Sequence, residues 1–130
     1  TAGLGDCVCE NAEDYVRRAI SIFPSHVREW INALYIREYA SLSIVCAILR
    51  VIAHFDCHEV GPQGVMMATS ALNHVDDEVC ECAIRCFENW ESPDNLVILK
   101  STRRPQGWLG EYLSRVISDL EEMQRHAVSC

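Results

Sequence analysis

The chain has 130 residues, of which 49% are hydrophobic and 23% charged, a composition that fits one packed core and excludes a disordered chain. Eleven Lys and Arg against 19 Asp and Glu leave a formal net charge of −8 at pH 7, so the molecule repels the phosphates and anionic headgroups that attract nucleic-acid and membrane-surface binders. The most apolar stretch, Leu42 to Phe55, is interrupted by Arg50 and His54 and falls short of the roughly 18 apolar residues that a spanning helix needs.

In chain order the periodicity predicts seven helices. The first covers 10–22, with Ala12, Tyr15, Val16, Ala19 and Ile20 on one face, and closes at Phe23-Pro24. The second opens at Ser25 and repeats Val27, Trp30, Ile31, Leu34 and Tyr35. Ser41 or Ser43 starts a third, burying Ile44, Ala47, Ile48, Val51 and Ile52. Gly61-Pro62 then breaks the chain, and Pro suits the first turn of a fourth helix ending near Asn73. A fifth runs from Asp77 to Trp90. Ser92-Pro93-Asp94 starts a short sixth, with Ser as N-cap and Pro at the first helical position. After the turn at 103–107, a seventh runs from Trp108 to about Gln124 with Leu109, Tyr112, Leu113, Val116, Ile117 and Leu120 inward. No sustained alternation and no Asn-Gly or Asp-Gly turn suggests a strand. The expected fold class is all-α, in a single domain over 1–130, with residues 1–9 expected to be flexible. Trp30, Trp90 and Trp108 are expected as core wedges between helices.

The helices echo one another. Cys46-Ala47-Ile48 recurs as Cys82-Ala83-Ile84 after 36 residues, and Asn32-Ala33-Leu34 as Ser70-Ala71-Leu72 after 38. A period of that size is the mark of a helical solenoid. The segment Leu72-Asn73-His74-Val75-Asp76-Asp77-Glu78-Val79, followed by Cys82-Ala83-Ile84 and Phe87, resembles a HEAT repeat. The resemblance covers Val60 to Asp94. It loosens where Tyr35 to Leu42 replaces the acidic turn, and again in the last pair, whose first helix is short and whose turn is basic. It implies a HEAT-like α-α superhelix, a stack of about three helix pairs capped by the 10–22 helix. The junction at Trp90 to Asp94 and the opening at Trp108 to Tyr112 are also similar to small bacterial HEAT-like proteins.

Eight cysteines (Cys7, Cys9, Cys46, Cys57, Cys80, Cys82, Cys86 and Cys130) would permit a disulfide framework in a secreted chain. Cys46, Cys82 and Cys86 instead sit in apolar helical patterns, where a free thiol packs as a small hydrophobe. No basic start precedes an apolar run, so no secretory signal is expected, and reduced thiols and a cytoplasmic location follow. Cys80 and Cys130 are the thiols expected at the surface. His54, Cys57 and His58 form an H-x-x-C-H cluster, but no C-x-x-C exists, and Cys80 and Cys82 point about 200° apart around a helix, so no metal centre and no cofactor are expected. Cys57 beside a His is the nearest approach to a nucleophile, without a supporting signature. Gly61-Pro62-Gln63-Gly64 lacks the Lys of a phosphate loop. The basic turn Lys100, Arg103, Arg104 is expected to be solvated.

From Asp76 to Asp94 there are seven acids against one base, Arg85. With Val79, Ala83, Cys86, Phe87 and Trp90 inward, Glu78, Glu81, Arg85 and Glu88 face outward. Second helices of HEAT-like pairs line the concave groove, so the resemblance implies a groove holding Glu81, Arg85 and Glu88, flanked by Glu78, with Asp77 and Glu91 at the rim. A groove of one sign speeds encounter with an oppositely charged protein; a solvated helix face is the alternative. The expectation is a non-enzymatic protein-binding module, in concrete form an acidic immunity- or antitoxin-type inhibitor of a basic partner such as a toxin domain, with no nucleic acid, membrane or small-molecule substrate. The alternatives are a terminal fragment of a larger HEAT-repeat scaffold and a HEAT-like lyase.

Overall fold

A computed structural model describes residues 27–129 together with Asp14, Arg17 and Arg18. Among the described residues there is no strand. The order is α1 (Val27–Arg37), α2 (Leu42–Ile52), α3 (Cys57–Leu72), α4 (Asp77–Trp90), a 3-10 turn (Pro93–Asn95), α5 (Leu96–Ser101) and α6 (Trp108–Ser129). The chain is all-α. The capping helix expected over 10–22, the Ser25 start and residues 1–9 lie outside the described residues, except that Asp14, Arg17 and Arg18 are helical and exposed. No described helix is long and apolar enough to cross a membrane.

Helix α2 is the most enclosed. Val45, Cys46, Ala47, Ile48, Leu49, Val51 and Ile52 are all buried, so beyond its exposed first turn at Leu42 and Ser43 only an edge carrying Arg50 meets solvent, as expected of a helix apolar on nearly all sides. Helix α4 buries Val79, Cys80, Cys82, Ala83, Ile84, Cys86, Phe87 and Trp90. This stripe is wider than the periodicity predicts, because α2, α3 and α6 all pack against it. Cys80, expected at the surface, is therefore buried, its thiol donating to the Leu72 carbonyl at 3.4 Å; Cys130 is outside the described residues. Helix α6 buries all six of its predicted apolar residues and runs on to Ser129, past the expected end at Gln124.

The Gly61-Pro62 break does open a helical segment that runs to Leu72, but a further turn of helix, absent from the expectation, precedes it across a kink. Helix α3 begins at Cys57, where the Asp56 backbone N–H donates to Glu59 Oε1 at 2.9 Å. Gly61 then takes φ 65°, ψ −170°, a conformation essentially confined to glycine, and Pro62 restarts the helix on a new axis. At the start of α4, Asp76 Oδ1 accepts from the backbone N–H groups of Glu78 at 3.0 Å and Val79 at 3.1 Å, an N-cap placed by the acidic turn. Ser92 is extended but makes no capping hydrogen bond through its side chain. Instead Asn95 is buried and its amide reaches Cys57 Sγ at 3.7 Å.

The helices stack in two rows. Helix α1 packs on α3, while α2 packs on α4 and α4 on α6. The Tyr35 hydroxyl ties the first row together by donating to the Met67 carbonyl at 3.3 Å. In the second row the Cys86 thiol donates to the Leu49 carbonyl at 3.2 Å and the Trp90 indole N–H to the Ile52 carbonyl at 3.0 Å. These pairs advance in the same direction on both helices, so α2 and α4 run parallel, in a register of 37 to 38 residues.

Candidate functional site

The parallel row opens a groove of about 880 Å³. Helix α2 contributes Arg50, and the turn that follows it Ala53 and His54; α4 contributes Glu78, Glu81, Cys82, Arg85, Glu88 and Asn89; α6 contributes Trp108, Glu111, Tyr112 and Arg115. Four of the six residues expected at a binding face, Glu78, Glu81, Arg85 and Glu88, thus line one concavity. Asp77 and Glu91 do not: Asp77 is exposed in the first turn of α4, and Glu91 is exposed just past its end, in the left-handed region at φ 49°.

The groove is not of one sign. Its four glutamates are set against three arginines. Arg50 pairs with Glu78 at 3.0 Å, and Arg85 with Glu81 at 2.8 Å along α4. The groove is therefore less acidic than the α4 segment alone, because neighbouring helices add Arg50 and Arg115 to it. Exposed pairs of this kind contribute little to stability, but they fix where the carboxylates sit. Glu88 is held differently, accepting from the Tyr112 hydroxyl of α6 at 2.6 Å. Burial, and then this bond to Glu88, push the Tyr112 hydroxyl up to about 12. The Arg115 guanidinium lies over the Tyr112 ring, 5.2 Å from its centre. Burial works against the charge on Arg85, but Tyr112 and Glu81 beside it hold the guanidinium more firmly protonated than usual.

Trp108, expected as a core wedge, is 54% exposed on the groove. Trp90 is a wedge, buried edge-on against Phe87 with ring centres 5.4 Å apart; the Trp30 side chain lies outside the described residues. Sequence reasoning placed the groove on α4 alone and missed Arg50, His54, Trp108, Glu111, Tyr112 and Arg115. The spacing of Trp108, Tyr112 and Arg115 on α6 was the available signal.

The sulfur and imidazole groups are dispersed. His54 lines this groove, whereas Cys57 and His58 line a second concavity of about 730 Å³ with Asp56, Trp90, Asp94 and Asn95. Among the described residues no group of three or more His, Cys, Asp or Glu is arranged to hold a metal ion. Cys46, Cys57, Cys80, Cys82 and Cys86 are free thiols. In the basic turn, Lys100 pairs with Glu121 at 2.7 Å and Arg104 donates to the Ser114 hydroxyl, so two of its three cations have protein partners. No protein-family model matches the chain, and comparison with curated proteins and with solved structures found no match.

Proposed function

We propose that this chain is a HEAT-like stack of helix hairpins and works as a non-enzymatic protein-binding module, with the α2–α4–α6 groove as its binding face. The observation that carries the reading is that the second helices of three successive hairpins line one groove, with an exposed tryptophan on it. The α2–α4 register of 37 to 38 residues matches the 36- and 38-residue echoes in the sequence, which supports a stacked repeat.

The partner is a basic protein segment. Arg50 and Arg85 are already held by Glu78 and Glu81, whereas Glu111 has no ion pair and Glu88 only a hydroxyl donor. These two carboxylates are the acceptors for an incoming Lys or Arg, whose stem packs on the Trp108 indole. The net charge of −8 favours the encounter. An immunity- or antitoxin-type inhibitor of a basic toxin domain is the concrete form.

The test is capture of partners from source lysate by the wild type, by Trp108→Ala/Glu111→Lys, and by Asp119→Lys as an exposed control outside the groove. A basic protein retained by the wild type and the control but lost by the groove variant, and held less firmly as salt shortens the roughly 10 Å screening length, supports the reading. Equal retention by the groove variant overturns it. A bound helical protein that ignores both variants favours the fragment of a longer scaffold.

A further inference from the structure

The register that sets Leu49 against Cys86 and Ile52 against Trp90 sets Cys46 against Cys82 one helical turn earlier. These are the equivalent positions of the two echoed Cys-Ala-Ile segments. Both thiols are buried, Cys46 at 3% and Cys82 at 8% exposure, on facing stretches of the α2–α4 seam, and each perturbs the other's ionisation more than any other group does. They differ in access. Cys82 lines the groove, and Cys46 lies behind it.

The geometry points to an oxidation site: Cys82 and Cys46 form a paired dithiol that a small hydroperoxide entering the groove converts to a disulfide. The Cys82 sulfur attacks the O–O bond, an S–O bond forms, and the leaving oxygen departs as an alcohol or water, giving a sulfenic acid. The Cys46 sulfur then attacks Cys82, the S–S bond forms, the S–O bond breaks, and hydroxide leaves with the Cys46 proton as water. Two electrons pass from the sulfurs to the peroxide, and a thiol reductant reverses the change.

Three features suit the pair to this chemistry. The reacting species is a thiolate; the Cys46 thiol facing it, and then the Arg50 charge, lower the Cys82 thiol below its usual range, while Cys46 is raised. The resolving thiol lies on the facing helix, one turn along from the Leu49–Cys86 contact, and a disulfide between the two would hold their Cα atoms about 4.4–6.8 Å apart. The other thiols near the seam are engaged elsewhere: Cys86 donates to the Leu49 carbonyl and Cys80 to the Leu72 carbonyl. The inference stands on the seam and the groove, and does not depend on what the groove binds.

The experiment treats the folded, reduced chain with one equivalent of hydrogen peroxide, blocks the remaining thiols, and digests with trypsin and a glutamyl endopeptidase. Cleavage at Glu38, Arg50, Glu81 and Arg85 leaves Cys46 alone in peptide 39–50 and Cys82 alone in peptide 82–85. The expected product is a reducible cross-link between these two peptides, absent in Cys82→Ser and kept in Cys86→Ser. A second measurement needs no variant: phenylarsine oxide, which bridges adjacent thiols, should protect Cys46 and Cys82 together from slow alkylation. A cross-link through any other pair, or no cross-link, overturns the proposal, as does arsenical protection of neither thiol.

Discussion

The Trp90 indole N–H donates to the Ile52 carbonyl at 3.0 Å, joining the last turns of two parallel helices. That carbonyl also accepts from the Phe55 N–H at 3.2 Å, so the end of α2 is held both by its own chain and by the next repeat. Trp90→Phe keeps an aromatic ring beside Phe87 but removes the donor and some volume. Urea unfolding should show a loss of about 1–3 kcal/mol. A loss smaller than the measurement error would mean that the seam closes without this bond.

The kink in α3 makes a second prediction. Gly61 is buried at φ 65°, so Gly61→Ala should cost about 1–3 kcal/mol through backbone strain alone. Gly64 is constrained for a different reason, since a Cβ there would meet Val60 Cγ2 at 2.5 Å. Gly64→Ala should be destabilising, and Val60→Ala should recover part of the loss in the double variant, a coupling that a double-mutant cycle measures directly. Additive costs would show that Val60 is not the obstacle.

Within the groove, Tyr112→Phe removes the 2.6 Å bond to Glu88. The lost bond has a charged acceptor, so about 1–2 kcal/mol is expected in thermal or urea unfolding. Glu81→Gln and Glu78→Gln, which break the exposed pairs with Arg85 and Arg50, should each change stability by less than about 1 kcal/mol. The contrast between the two kinds of variant is the quantity to check.

Much of this arrangement was legible in the sequence, and the misses have physical causes. The six buried residues of α6 follow from a 3.6-residue period alone. Cys80 was misplaced because a single stripe was assigned to α4, which three neighbours enclose. Trp108 continues the α6 stripe, but its first turn opens on the groove, so an apolar period does not imply burial there. The Arg50–Glu78 pair spans 28 residues and depends on the α2–α4 register, which no local pattern encodes. That pair is also one reason the groove is less acidic than the α4 segment by itself. The kink at Gly61-Pro62 was readable as punctuation, but not as a turn of helix preceding it.

Stability should fall at alkaline pH. Burial raises the Cys80 and Cys86 thiols above their usual range, and raises Tyr35, like Tyr112, to about 12. Groups whose folded values lie above their unfolded ones stabilise fully below the unfolded value and lose that contribution as pH rises. The decline should therefore begin above about pH 8.5, where unfolded thiols ionise, and steepen between about 10 and 12 as unfolded tyrosines do. Urea midpoints across this range, with tyrosinate absorbance followed in parallel, check the sign. A flat profile to pH 11 would remove the burial argument.

Among the described helices, α4 touches α2, α3 and α6, whereas α1 and α5 are at the margins. In a molecule held together by neighbour-to-neighbour seams, opening proceeds from the margins inward. The amide protons of α4 between Cys82 and Phe87 should then be the last to exchange with heavy water, and those at the far end of α6 among the first. Because the groove is built on that most slowly exchanging helix, its central glutamates keep their places while the edges of the fold breathe.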